Sequence, residues 1–191
     1  MDFNKMMKSI DEKYLEVWDK FTKNPNDQNV SGFASHQPVL VTLLQKYGGK
    51  CNVLELGCGY GSSPILAGLS SYSEHYETDY DWLQKVKEFE SENHSFHFVD
   101  NHEKFMWNDL IPFSKSWDIA FIDNASGESR QSNLIKLKDK CSYIVCHDTE
   151  EVYKQAASDY RWNFSMFKYH YVFKNYNTFT TVVSNYFDFT M

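Results

Sequence analysis

The stretch CNVLELGCGYGSS, residues 51–63, decides how the rest of the chain reads. A mostly apolar run carrying Glu55 ends at Leu56, and Gly57, Gly59 and Gly61 follow at alternate positions. A short apolar run bounded by glycine is the pattern of a buried strand. Glycines at its end permit a tight turn and leave backbone amides uncovered for a ligand. In open parallel sheets ligands bind beyond the carboxyl ends of the strands, so this loop marks a binding site.

Working outward, strand and helix patterns alternate. Strands are expected at 51–56, 73–78, 95–99, 117–122 and 141–147, and helices at about 62–69, 80–91, 102–109, 127–138 and 149–158. Such alternation predicts a parallel sheet covered on both faces. The ending differs: FKYHYVFKN and TFTTVVSNYF read as an antiparallel hairpin on the sheet edge, with the stripe Tyr169, Tyr171 and Phe173 as core or dimer surface. Ahead of the loop, apolar residues from Phe3 to Phe21 imply one amphipathic helix over 2–22. SHQPVLVTLLQKYGG then reads as a second helix, with Ser35 or His36 as cap, Pro38 in the first turn and Gly48 with Gly49 as the stop. The expected organisation is a single domain over 1–191, in which helices of 1–49 cover the site built on a core of 50–191.

Composition narrows the class. With 42% hydrophobic and 24% charged residues the chain suits a packed domain rather than a disordered or fibrous one. Charges recur every few positions in the first twenty-odd residues, which excludes a signal peptide or membrane span there. A soluble, cytoplasmic protein without a membrane partner is expected. Cys51, Cys58, Cys141 and Cys146 show no CxxC spacing and lie in or beside apolar runs, so they read as buried thiols. The formal charge of −7 would repel a polyanion, so nucleic acid is not an expected partner. The aromatic content of 17% would suit stacking on sugar rings or bases.

Which ligand fits the loop follows from the charges around it. Glu77 stands 20 positions after Gly57 (77 minus 57), at the end of the second strand, where a carboxylate can accept both hydroxyls of a ribose. A dinucleotide fingerprint needs Gly or Ala at position 62, which is Ser62. Glu55 beside the loop is unfavourable for a pyrophosphate and favourable for a sulfonium and an ammonium group, and this favours S-adenosylmethionine.

These residues resemble a known family. VLELGCGYGSS is similar to the first motif of class I S-adenosylmethionine-dependent methyltransferases, E/D-x-G-x-G-x-G, here residues 55–61. HYETDYDW resembles the ribose-binding acid after strand two, HFVDN the adenine-proximal end of strand three, and WDIAFIDNA the fourth motif, so the likeness runs from about 35 to 187. It implies a Rossmann-like α/β sandwich whose mostly parallel seven-stranded sheet ends in an antiparallel hairpin, with helices on both faces. It also implies a cofactor site made by Glu55, Gly57, Gly59, Gly61, Ser62, Glu77 and Asp123, with Asp100 and Asn101 either contacting adenine or its ribose or forming a turn.

Methyl transfer to a hydroxyl needs positioning and removal of a proton. Strand four ends in Asp123 and Asn124, and strand five in His147 and Asp148 with Glu150 beyond, so these should gather at the loop's edge. The arrangement resembles divalent-metal O-methyltransferases of catechols and antibiotic sugars; the separation from Asp123 to Asp148 is 25 positions (148 minus 123). It departs from them in pairing His147 with Asp148 and in having Ala125 or Ser126 where a base is expected. Three readings stay open: a metal such as magnesium on Asp123, Asp148 and His147; a metal-free His147/Asp148 base; and a structural pair. His36 is either a further base near the cofactor or a helix cap, and Arg130 either pairs with an acidic substrate or, preferably, caps local carbonyls. The expected activity is O-methylation of a sugar, glycan or similar small molecule, with the edge hairpin as a homodimer surface. The alternatives are an RNA or protein methyltransferase, or a non-catalytic subunit that binds the cofactor.

Overall fold

The computed structural model describes residues 2–100, 111–125, 127–154 and 160–191. The helix expected over 102–109, the last part of that over 149–158, and Asn101 lie outside them. Among the described residues, β1 (Asn52–Leu56), β2 (Tyr72–Glu77), β3 (His94–Phe98), β4 (Trp117–Ile122), β5 (Cys141–His147), β6 (Tyr169–Phe173) and β7 (Thr180–Ser184) form one sheet. Its order is β3-β2-β1-β4-β5-β7-β6. The first five strands run parallel, β7 is antiparallel to β5, and β6 is antiparallel to β7. The sheet reverses its winding between β1 and β4, so a crevice opens where the chain leaves these strands in opposite directions.

Side chains alternate across the sheet and fill two cores. Val53, Ile119, Phe121, Tyr143 and Val145 face one side, packed by α3 (Gln37–Lys46) and α4 (Ser63–Leu69). Leu54, Leu56, Ala120, Ile122 and Ile144 face the other, packed by α6 (Gly127–Leu137) and by Trp162, Phe164 and Phe167. A smaller cluster of Leu83, Val86, Phe96 and Cys58 seats α5 (Tyr80–Val86). Val53, Leu54 and Leu56 are wholly buried, and each such side chain contributes roughly 1.5–3 kcal/mol, which anchors the strand that presents the loop. All four cysteines are free and buried, as expected, and burial pushes the Cys51 thiol up to about 12 and disfavours the thiolate at the other three.

The start of the chain corrects one expectation. Instead of one helix over 2–22, it forms α1 (Phe3–Met7), a 3-10 turn (Glu12–Tyr14) and α2 (Glu16–Lys23). Ser9 Oγ donates to Met6 O at 2.7 Å and Asp11 accepts from Lys13 N at 3.1 Å. Such local side-chain bonds compete with the helical ladder and break it between the two apolar stretches. Leu15 cannot cap α2, and Gln37 does so from α3: its Oε1 accepts from Val17 N and Trp18 N, each at 3.1 Å. In α3 itself, Pro38 occupies the first turn, and Gly48 and Gly49 end the helix at φ 58° and 75°, as their spacing predicts. His36 sits at the N-cap of α3 but makes no capping bond. No helix among the described residues is long and apolar enough to cross a membrane.

Candidate active site

A cavity of about 720 Å³ opens at the carboxyl edge of β1, β2, β4 and β5, within the size range of small-molecule sites. One wall is the glycine loop. Gly57 has φ 91°, and a Cβ there would lie 2.5 Å from the Asp123 carbonyl carbon, so only glycine lets β1 turn against β4. A Cβ on Gly61 would lie 2.4 Å from Phe33 O, which lets the 3-10 turn Gly32–Ala34 close over the loop. Gly59 has open space where its Cβ would be. Beneath the loop, Ser63 Oγ accepts from Gly59 N at 3.0 Å and donates to Glu55 Oε2 at 2.7 Å, while His75 Nδ1 meets the same oxygen at 2.5 Å.

Glu55 therefore belongs to the floor. It is wholly buried and does not line the cavity, so the expectation that it lies beside the cofactor is corrected: it fixes the loop through Ser63. Glu77 does line the wall, with Oε2 accepting from Cys58 N at 2.7 Å and Oε1 from Thr78 N at 2.6 Å and Asp79 N at 2.7 Å. Burial raises its pKa against these three bonds. Thr78 Oγ1 also donates to Oε1 at 3.4 Å, so Oε1 is filled, whereas Oε2 accepts from Cys58 N alone and keeps acceptor capacity for a ribose hydroxyl. Asp100 is exposed and outside the wall among the described residues; Asp79 and Trp82 stand on that side instead. Gly57, Gly59, Gly61 and Ser62 all line the cavity.

The opposite wall is made of charged side chains. Asp123 follows β4 and Asp148 follows β5, and the guanidinium of Arg130 from the first turn of α6 lies between them. Arg130 Nη2 is 3.1 Å from Asp123 Oδ1 and Nη1 is 3.0 Å from Asp148 Oδ2. His147 Nδ1 is 3.2 Å from Asp123 Oδ1 and 3.4 Å from Asp148 Oδ1, and its Nε2 is 2.9 Å from Ser35 Oγ. Burial works to lower the His147 pKa, but Asp123 and Asp148 outweigh it and raise it. Burial likewise works to raise Asp123, yet His147 and Arg130 hold its carboxyl down at about 2. Asp148 stands in the left-handed region at φ 56°, held there by Trp162 Nε1 donating to its carbonyl at 3.1 Å and by Thr149 N donating to Phe179 O. Backbone strain of this kind persists where the surroundings over-determine it and gathers at functional sites.

His36 is brought against this cluster without joining the wall. Its ring is 4.7 Å from that of His147 and 4.6 Å from Phe121, neither ring nitrogen has a hydrogen-bond partner, and burial with the His147 charge presses its pKa down to about 3. It stays neutral, behind the wall rather than in it. Residues that the sequence reading passed over complete the cavity: Phe33, Tyr60, Trp82, Tyr160 and Thr178 line it, and Gln37 ties it together by donating to Gly61 O at 3.1 Å and to Tyr14 O at 2.8 Å. Arg130 carried one signal in the sequence, since a cation in the first turn of a helix opposes the macrodipole and must be needed elsewhere.

The donor set does not fit a magnesium-type ion on Asp123 and Asp148, because the guanidinium already fills the space between the carboxylates. His36, Asp123 and His147 also bring ligand atoms within 4.8 Å of one another, but an ion there would compete with Arg130 and His147 for the Asp123 carboxylate. The loop wall, by contrast, fits S-adenosylmethionine: Gly59, with open space where a side chain would be, and Glu77 line one continuous cavity.

No family model matches the sequence, and no curated protein does. Solved structures do match in fold. A protein assigned as an O-methyltransferase from Klebsiella pneumoniae superposes with a TM-score of 0.59 over 96% of each chain at 15% identity. An rRNA methylase from Streptococcus thermophilus gives 0.55 over 78% of this chain and 95% of its own, at 14% identity. A further protein assigned as a methyltransferase, solved in complex with SAH, gives 0.52 over 79% of this chain and 50% of its own, at 13% identity. The mostly parallel seven-stranded sheet with its antiparallel end β5-β7-β6 is thus the Rossmann-like fold of these methyltransferases.

Proposed function

We propose that the protein binds S-adenosylmethionine along the glycine loop and methylates a hydroxyl of a sugar or similar small molecule. The observation that carries this reading is the meeting, in one cavity, of the Gly57 to Ser62 loop and Glu77 with a pair of carboxylates from β4 and β5. Bound there, S-adenosylmethionine supplies an electrophilic methyl group on a sulfonium. The side-chain-free face of the loop at Gly59 and the Glu77 carboxylate hold the nucleoside end, and Trp82 and Tyr60 offer aromatic surface beside it.

Asp148 is the group placed to receive the acceptor's hydroxyl proton. Its side chain keeps 26% of its surface exposed in the wall, whereas His147 is 3% exposed and both its nitrogens are engaged. His147 therefore orients the carboxylates and acts as a positioning residue. Its raised pKa suits a donor to Asp123 and Asp148 better than a base. Phe33, 87% exposed at the mouth, gives the acceptor an apolar face. An acidic chain whose site wall carries carboxylates is poorly matched to RNA, which keeps the small-molecule reading ahead of the RNA reading that the rRNA methylase likeness raises.

Transfer of a labelled methyl group from S-adenosylmethionine to a panel of glycosides, catechols, RNA and protein tests the proposal. Label on a small hydroxyl acceptor is expected. Label on RNA or protein alone would overturn the acceptor class, and saturable cofactor binding with no transfer to any acceptor would favour a non-catalytic subunit.

A further inference from the structure

We infer that Arg130 is the resident cation of the site, holding Asp123 and Asp148 at the spacing a divalent ion would otherwise impose, so that the site works without metal. Arg130 is 4% exposed, and its guanidinium spends its N–H groups on the two strand ends. Nε donates to Asn124 O at 2.6 Å. Nη1 donates to His147 O at 3.3 Å and to Asp148 Oδ2 at 3.0 Å. Nη2 donates to Asp123 O at 3.0 Å and lies 3.1 Å from Asp123 Oδ1. The ring of Tyr160 covers it, with the guanidinium carbon 4.0 Å from the ring centroid.

This is more than a surface ion pair. A planar fork with five N–H donors can join two carboxylates and three carbonyls in one fixed geometry, which a lysine cannot. A divalent ion contacting Asp123 and Asp148 would stand beside this fixed positive charge, and one of the two cations would have to leave. The location argues the same way. Arg130 stands in the first turn of α6, where the helix dipole disfavours a cation, and the two carboxylates offset that cost. Its role is positional: it sets the distance and rotamer of Asp148, which meets the acceptor.

The inference rests on the proposed methyl transfer only for its activity arm, and its main test needs neither cofactor nor acceptor. Manganese titration followed by electron paramagnetic resonance reads free ion directly. Wild-type protein is expected to leave the free-ion signal unchanged, and Arg130→Met, with the carboxylates released, is expected to deplete it saturably. Wild-type binding of manganese that is lost in Asp123→Asn or Asp148→Asn would overturn the inference, as would a folded Arg130→Met that binds none. Should Arg130→Met fail to fold, the wild-type titration still decides. In the activity arm, transfer should be unchanged after EDTA treatment, and loss restored by magnesium would contradict the proposal. Absence of any transfer would count against the methyltransferase reading while leaving the titration result standing.

Discussion

The two walls of the cavity are built in different ways. The loop wall is backbone: Gly57, Gly59 and Gly61 set its path, Ser63 and Glu55 pin it from below, and Glu77 gathers its amides. Most of it comes from residues 57–63 and 77–82, adjacent in sequence or on paired strands. The facing wall is side chain, assembled from Asp123, Arg130, His147, Asp148, Tyr160 and Thr178. A backbone cradle recognises a shape shared by many ligands, whereas a charged side-chain wall can be rewritten one residue at a time. The comparison assigns the constant task, holding the cofactor, to the first and the specific task, handling the acceptor, to the second.

If the division holds, Asp148→Asn should give the largest effect. Asparagine also tolerates the left-handed backbone at φ 56°, so the fold should persist. Turnover is expected to fall by about 10²–10⁴-fold, the usual range for an acid/base group, with cofactor affinity within a few-fold of wild type. Activity that survives would move the chemistry off β5. Gly57→Ala should damage the other wall, since its Cβ would meet Asp123 backbone at 2.5 Å and its φ is 91°. A loss on the order of 3 kcal/mol in thermal or urea unfolding is expected, and a neutral result would mean that the pinch between β1 and β4 is relaxed in solution.

Glu77→Ala should weaken cofactor binding by roughly 30- to 150-fold, or about 2–3 kcal/mol, by removing a charged acceptor from the ribose and from the loop amides. Calorimetry with S-adenosylhomocysteine measures it, and unchanged affinity would remove Glu77 from the cofactor wall. A pH test sets His147 of the charged wall against the histidine packed behind it. His36, held at about 3 against an ordinary 6.5, contributes stability present above pH 6.5 and lost as the pH falls from there toward 3. His147, raised above 6.5, contributes stability present below 6.5 and lost as the pH rises through its folded value. His36→Leu should thus flatten the acid limb of a stability-versus-pH curve by up to about 1.4 kcal/mol per pH unit, and His147→Gln the alkaline limb. Since His94, lowered to about 4, adds to the acid limb, the test is the difference between variant and wild type. Parallel curves for His36→Leu and wild type would contradict the buried, neutral His36.

The sequence displayed the loop wall because it is local. A strand, three glycines and an acid 20 positions on carry their geometry in their spacing; β1, β4 and β5 are largely apolar runs bounded by turns, and the more polar β2 and β3 are marked by the turns and helical patterns around them. Glu55 was misplaced because its side of the strand, fixed by pairing with His75, is a tertiary fact. Asp123, His147 and Asp148 were legible as residues gathering at one edge, since strand ends converge in a parallel sheet. Their relation was not legible: nothing in the spacing places Arg130 between them or Ser35 on His147 across 112 positions. The broken N-terminal helix was hidden for a related reason, because its capping group is Gln37, about twenty residues away.

The proposed function requires the glycine loop to hold an S-adenosyl amino acid rather than a dinucleotide. Titration calorimetry of the wild-type protein with S-adenosylhomocysteine and, separately, with a nicotinamide dinucleotide tests it most directly. Saturable binding of S-adenosylhomocysteine, weakened in Glu77→Ala, is expected, with none of the dinucleotide. Binding of the dinucleotide with S-adenosylhomocysteine silent would contradict it.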